Sequence, residues 1–173
     1  MFKIALFLIF SLGAFANDLS IIKGEIKAHT EVFGDSEINP QTTNLKSLLT
    51  INDKVESIKG EIFFDTLSLV SSKKDRDENM YKLLSSEVHK VISFSIKNIV
   101  KNETNYDING VLSLNGIKKE ITVKSDINEQ NNQIVMVGGF SFNLTDFNLE
   151  PPTLLFLTVR NQIDINFNIE LKR

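Results

Sequence analysis

The chain has 173 residues and a formal net charge of −3, with 22 acidic and 19 basic residues interspersed along it. Because there is no basic excess, nucleic-acid binding has no electrostatic support, and no nucleic-acid partner is expected. The chain has no cysteine, which excludes disulfides, a cysteine nucleophile and a lipid-anchored cysteine, and argues against a structural zinc site.

The first sixteen residues have the three parts of an export signal. Lys3 gives a positive start, residues 4–12 are apolar, and Ala14-Phe15-Ala16 forms a small-x-small cleavage site. The apolar run is shorter than the roughly 20 residues of a membrane-spanning helix, although an uncleaved anchor is the alternative. We therefore expect a soluble mature domain of residues 17–173. Export without cysteine favours the bacterial periplasm as its location.

Apolar and polar residues alternate with a period of two along most of the mature chain, which is typical of half-buried strands. In the first of these segments, Ile22 and Ile26 share the apolar face, and His29 falls on the polar one. Residues 34–43 are interpreted as a loop from their Gly, Asp, Asn and Pro content. The predicted strands are, in chain order, residues 22–32, 44–51, 58–66, 92–97, 106–114, 117–127, 134–144 and 161–171.

One segment breaks this alternation and predicts a short helix over residues 75–84. Met80 begins a set of apolar residues at helical spacing. Ser72 is the expected N-terminal cap, and Asp75 and Asp77 would lie near the positive end of the helix dipole.

Two turns join the three strands between residues 106 and 144 into a predicted antiparallel meander. Asn115-Gly116 readily adopts the positive φ angles of a type I′ hairpin turn. The polar residues 128–132 predict the second turn, and Pro151-Pro152 separates the meander from the last strand. The count is seven or eight antiparallel strands and one helix.

A sheet of this size has a large apolar face that one ten-residue helix cannot cover. It must close into a barrel or fold into two packed layers. An eight-stranded barrel leaves room inside for side chains or for one slender ligand. The 13 Phe residues, in a chain without Trp, belong in a dry interior or against an apolar ligand, and the alternation alone leaves both interpretations open.

Four segments of the chain carry a resemblance to a known family. They are Arg76-Asp77-Glu78-Asn79-Met80, Ile92-Ser93-Phe94, the hairpin from Gly110 to Lys119, and Asp146-Phe147-Asn148-Leu149, which is similar to the family's Asp-Phe-Gly-Ile. In these segments the chain resembles the YceI-like family of exported lipid-binding proteins. Asn79 stands where that family often has His.

The resemblance implies an all-β fold, an eight-stranded antiparallel lipocalin-like barrel with one short α-helix, that holds a lipid inside. The expected ligand is an isoprenoid, a quinone or a fatty-acid-like lipid, with no other cofactor. Arg76 and Asp77 would meet the head group at the mouth, or would form structural hydrogen bonds that fix the helix to the barrel. The residues expected to line the tunnel are Phe64, Phe94, Ile96, Leu112, Phe140, Phe142 and Phe167. The alternative function is a stress-related or adhesion protein whose barrel is filled by its own side chains.

Catalysis finds little support in the residues. There is no Gly-x-Ser-x-Gly elbow, and His29 and His89 are the only histidines, each interpreted as an ordinary surface residue. A calcium loop beginning at Asp75 fails, because Met80 occupies the Gly position and Ser86 the Glu position. An enzyme is therefore not expected. A homodimer remains open if the first and last strands pair between two copies.

Overall fold

The structure is a computed structural model that describes residues 16–32, 35–154 and 157–173. Residues 1–15 of the predicted export signal lie outside the described residues. The strands and the α-helix of the described part are, in chain order, β1 (Asn17–Val32), β2 (Asp35–Ile38), β3 (Gln41–Thr42), β4 (Lys46–Ile51), β5 (Lys59–Asp65), α1 (Lys74–Leu83), β6 (Val91–Lys101), β7 (Tyr106–Leu114), β8 (Ile117–Gln130), β9 (Gln133–Asn143), β10 (Thr153–Leu154), β11 (Leu157–Thr158) and β12 (Gln162–Lys172). Three 3₁₀ helices, Val55–Ser57, Thr66–Ser68 and Leu144–Phe147, lie between them.

Eight of these strands close into an antiparallel barrel. Each strand from β4 to β9 pairs with the next, β12 pairs with β9, and β1 pairs with both β4 and β12. The last pairing runs from Ser20 opposite Lys172 to His29 opposite Asp164 and closes the barrel. The prediction of an all-β, eight-stranded antiparallel barrel with one helix is confirmed. The two edges that could have joined a homodimer pair with each other within the chain.

The meander of β7, β8 and β9 follows the sequence pattern closely. Asn115 and Gly116 have φ angles of 51° and 72° and form the predicted hairpin turn, with Leu114 opposite Ile117. The second predicted turn, residues 128–132, is too long. β8 continues to Gln130, and Asn131 and Asn132, both with positive φ, make the turn.

A bulge in β1 overturns part of the predicted first strand. The register against β12 shifts between Ile21 and Lys23, and Ile22 is 48% exposed rather than inward-facing. An extra residue in one strand reverses the faces on either side of it, so Leu19 is buried and Ile21 packs against the core before the bulge. The strand also begins earlier than predicted, at Asn17.

Short strands occupy two segments where the sequence predicts none. The predicted loop at residues 34–43 contains β2 and β3, both paired with β1. After Pro151-Pro152, β10 and β11 form a separate two-stranded ribbon, with Thr153 opposite Thr158. Strands of two to four residues are too short to display an alternation in sequence.

Helix α1 lies close to its predicted position but begins differently. It spans Lys74–Leu83, the preceding Lys73 is extended, and no side chain caps its N-terminus. The prediction that Ser72 is the cap is therefore wrong, whereas Asp75 and Asp77 do lie in the first turn. None of the helices in the described ranges is long and apolar enough to cross a bilayer.

Buried side chains inside the barrel form two clusters, one towards each end. The first cluster includes Ile51, Ile58, Ile134 and Leu171, none of which has any exposed surface. The second includes residues that follow the barrel strands at the opposite end, such as Leu69, Leu84 and Phe147, and Met80 of α1 packs against it. Helix α1 therefore covers one end of the barrel.

Candidate functional site

A cavity of about 1130 Å³ lies inside the barrel. Its wall is formed by inward-facing apolar side chains of β1, β5, β6, β7, β8, β9 and β12. Towards α1 the lining becomes polar, with Lys73, Arg76 and Asp77 from the helix region and His29 and Thr30 from β1. The barrel is thus not filled by its own side chains, and its polar groups gather at the end next to the helix.

All nine residues that the sequence proposes as a ligand site line this one cavity. The seven apolar residues are on the barrel wall, and Arg76 and Asp77 are at the polar end. The predicted residues are thus brought together, while their contact with a ligand stays a prediction.

Glycines let two of the phenylalanine rings lie close to the barrel wall. A Cβ atom added at Gly110 would lie 2.4 Å from Cζ of Phe94, and one at Gly138 would lie 2.8 Å from Cζ of Phe167. Each ring therefore covers the backbone of a neighbouring strand at a place where any other residue would collide with it.

A second group of rings packs near the end covered by α1. The ring centroids of Phe140 and Phe142 are 6.3 Å apart, and Phe142 meets Phe147 edge-on at 5.2 Å. Both distances are within the range of favourable aromatic pairs. Phe147 is 1% exposed and does not line the cavity, so it supports the Phe142 ring without occupying the space open to a ligand.

Asp77 and Tyr81 tie α1 to the segment that precedes it. The Asp77 carboxylate, which is buried, accepts a hydrogen bond of 2.8 Å from the backbone N–H of Ser71. The Tyr81 hydroxyl donates to the Leu69 carbonyl at 2.6 Å and has the Leu67 carbonyl at 3.1 Å. Partial burial, and then the nearby Asp77 charge, raise the pKa of Tyr81. Asp77 therefore makes a structural hydrogen bond, although to the segment before the helix rather than to a barrel strand, and it also lines the cavity, so both of its proposed roles stay predictions.

The polar end of the cavity carries charges of both signs. Lys73, Lys74 and Arg76 line it together with Asp75 and Asp77. Such a mixture can meet a polar or a charged head group, but it does not select one sign of charge.

The two histidines differ from the surface residues that the sequence predicts. His29 is half-buried, lines the cavity, and its Nδ1 lies 2.6 Å from Oδ1 of Asn39. His89 is also half-buried, and a Cβ at Gly116 would lie 2.6 Å from its Cε1 atom, so its ring covers the hairpin turn. In the described part of the chain, no three His, Asp or Glu side chains are grouped so as to hold a metal ion.

Sequence reasoning missed several residues of the wall. Ile163, Ile165 and Ile169 share the inward face of β12 with Phe167, and the alternation of that strand already indicated it. Pro152 and Val159, which flank the β10–β11 ribbon and also line the cavity, have no periodic pattern around them that could have identified them.

The model of the YceI-like domain matches residues 23–171, which is nearly the whole described barrel. The chain belongs to the YceI-like family. No curated protein sequence matches it significantly.

Solved structures share the fold of this YceI-like protein at low sequence identity. Burkholderia cenocepacia BcnA has a TM-score of 0.74 and 12% identity, covering 85% of this chain and 95% of its own. A polyisoprenoid binding domain from Saccharophagus degradans, implicated in plant cell wall breakdown, has a TM-score of 0.67 and 11% identity, covering 89% and 97%. The Campylobacter jejuni YceI protein has a TM-score of 0.65 and 14% identity, covering 100% and 91%.

Proposed function

We propose that this YceI-like protein is a periplasmic carrier for an isoprenoid or another long-chain amphiphilic lipid, such as a quinone or a fatty acid, held without covalent chemistry. The observation that carries the proposal is the cavity of about 1130 Å³ with apolar walls and one polar end. The polyisoprenoid-binding domain of similar fold supports it.

The physical basis of binding is the hydrophobic effect. Each methylene that moves from water into the cavity contributes roughly 0.8 kcal/mol, while association costs about 4–15 kcal/mol of lost freedom. A tail of a few carbons would not repay that cost, whereas a long chain repays it with a surplus. Apolar walls of this extent therefore favour long amphiphiles over small polar solutes.

The polar end of the cavity gives the ligand an orientation. A lipid whose tail lies among Phe94, Phe140 and Phe167 would keep its head group near Arg76 and His29. The mixed charges there accommodate a neutral or a charged head, and a head left in water costs no desolvation.

The proposed location depends on the pattern of residues 1–16. A positive start, an apolar run and the Ala14-Phe15-Ala16 site are those of a cleaved export signal. Cleavage would release a soluble domain of residues 17–173 with no cysteine to oxidise.

Two other functions are less well supported. A stress-related or adhesion protein with a side-chain-filled barrel does not agree with the open cavity. An enzyme acting on a lipid would need turnover that depends on His29, His89 or Asp77; His29 lies against Asn39, and the Asp77 carboxylate accepts a hydrogen bond from the Ser71 N–H. We therefore propose binding without turnover.

Filling the cavity tests the proposal. Phe140→Trp enlarges an inward ring on β9 and should weaken retention of a prenyl alcohol such as solanesol at least tenfold, since the tail and the indole compete for the same space. Phe63→Trp is the matched control, because Phe63 is half-buried on β5 and does not line the cavity. Circular dichroism would establish that both variants fold, and equal retention by wild type and a folded Phe140→Trp would contradict the proposal.

A further inference from the structure

The cavity ends at a layer of buried side chains on the side away from α1. Ile62, Ile96, Ile108, Val123, Met136 and Ile169 line the cavity and also belong to the buried cluster at that end of the barrel. They come from six strands, β5, β6, β7, β8, β9 and β12, and we call these six residues the floor.

Beyond the floor the barrel is filled. Ile51, Ile58, Ile134 and Leu171 have no exposed surface and do not line the cavity. Val55, in the 3₁₀ turn between β4 and β5, is also buried in this cluster. Interiors packed in this way leave no passage for a hydrocarbon chain, so a tail that enters from the polar end must stop at the floor.

We propose that the floor limits the length of the tail that the protein holds, with Met136 and Ile108 as specificity-determining residues. The inference rests on the proposed lipid-binding function and adds to it an upper limit on the buried part of the ligand. Met136 is 2% exposed and faces Ile169 on β12 and Ile127 on β8. Ile108 is also 2% exposed and faces Ile99 on β6 and Val123 on β8.

The floor predicts a break in the dependence of affinity on chain length. While each added methylene enters the cavity, affinity should rise about fourfold per carbon, the equivalent of the transfer free energy of one methylene. Once the terminal methyl group reaches the floor, further carbons remain outside near α1, and the rise should stop.

The experiment uses saturated fatty acids from octanoic to behenic acid, with prenyl alcohols from geraniol to solanesol as a second series. Dissociation constants are measured with delipidated protein. Met136→Ala should move the break to chains longer by about two carbons, because it removes most of a flexible side chain. Ile108→Phe should move it in the opposite direction by a similar amount.

Val137→Ala is the matched control, because Val137 neighbours Met136 on β9 but is 44% exposed. It should leave the break where wild type has it. If Met136→Ala does not fold, Ile169→Val, which removes one methyl group from the same layer, replaces it with a smaller expected shift.

The outcomes separate this inference from the proposed function. If neither series binds, the carrier function itself is contradicted. If the series bind but the break does not move in the folded floor variants, or moves equally in Val137→Ala, the lipid is held without using the floor and the inference is overturned.

Discussion

Asn148 shows how one residue type can replace another where the backbone sets the requirement. Its φ and ψ angles of 54° and 34° are left-handed, and it directly follows the 3₁₀ helix Leu144–Phe147. The segment that resembles Asp-Phe-Gly-Ile has Asn at its glycine position. Glycine takes this conformation without strain, and asparagine tolerates it better than other residues with a Cβ.

Asn148→Val should lower the free energy of unfolding by about 1–2 kcal/mol, because a β-branched residue is strained in the left-handed region. The Asn148 side chain is exposed, so lost packing adds little. Asn148→Gly is the control and should be neutral or slightly stabilising in the same denaturant titration. An equal loss in both variants would show that the side chain, rather than the backbone angle, matters.

The Asp164 carboxylate lies in a cluster of hydrogen-bond donors. It accepts hydrogen bonds from the Ser141 hydroxyl and the Gln162 amide, each at 2.7 Å, and from the Arg160 guanidinium at 2.5 Å. The hydrogen bond from Ser141 has the largest effect, and together these bonds lower the pKa of Asp164 to about 2. Arg160 also lies 3.5 Å from Glu31, so the cluster ties β12 to β9 and β1.

A pKa below its unfolded value means that the Asp164 carboxylate stabilises the fold above about pH 4 and loses this effect as pH falls towards 2. Asp164→Asn should therefore reduce stability at pH 7 by about 1 kcal/mol, after allowance for partial exposure. The difference from wild type should shrink between pH 4 and pH 2 in thermal unfolding. Asp126→Asn, which removes an exposed carboxylate from β8, is the control, and a pH-independent effect at Asp164 would contradict the account.

At the scale of elements, Asp77 and Tyr81 make polar contacts that hold α1 at the polar end of the cavity. The Tyr81 hydroxyl reaches back to the Leu69 carbonyl, and the Asp77 carboxylate to the Ser71 N–H, so both bind the segment that leads into the helix. Met80 and Leu83 add apolar contact with the nearby core. A ligand that enters or leaves past α1 would depend on this attachment.

Tyr81→Phe should cost about 1 kcal/mol of stability, the usual contribution of one hydrogen bond, and should speed the release of bound lipid. The pKa of Tyr81 is raised in the folded protein. The protonated hydroxyl therefore stabilises the fold below about pH 10, and this stabilisation is lost as the pH rises through the pKa of the folded state. Stopped-flow transfer of lipid to acceptor vesicles measures release. Tyr106→Phe, on β7 away from α1, is the control, and unchanged release in Tyr81→Phe would mean that α1 does not gate the cavity.

How much of the fold could be predicted varied with the length and regularity of each element. β12 alternates without interruption and β7 does so except at the apolar Val111, so most of their faces could be predicted residue by residue. The bulge in β1 could not be predicted, because Ile21 and Ile22 are both apolar and the alternation alone does not show which one turns outwards. The predicted cap of α1 was wrong, because Ser72 has the right chemistry for a cap but makes no capping hydrogen bond to the first turn of the helix.

The candidate site was only partly predictable for a related reason. The periodicity placed Phe94 and Phe167 on inward faces, but inward rings can fill a barrel or leave it open. Whether the rings fill the barrel depends on Gly110 and Gly138, because the two rings lie over these glycines. Each glycine is on a strand next to that of its ring, so the register of the paired strands had to be known first. The ribbon residues that line the cavity are brought there by the fold alone.

At the scale of the whole molecule, closure and packing together define the space that is open to a ligand. The pairing of β12 with β1 removes the sheet edges, and the filled end beyond Ile134 and Leu171 confines the cavity to the half near α1. A ligand that binds the folded chain and not the unfolded one adds stability. At a ligand concentration one hundred times the dissociation constant, the gain would be about 2.7 kcal/mol.

The central claim is that the cavity holds a lipid, and native mass spectrometry of the chain, exported in a bacterial host and purified without detergent, tests it most directly. We expect a mass of the mature chain plus one stoichiometric increment, which organic extraction identifies as an isoprenoid or another long-chain amphiphile. The increment should be absent from Phe140→Trp and present in Phe63→Trp. A protein that carries no lipid, and that takes up neither a quinone nor a polyprenyl lipid when these are offered, would contradict the account.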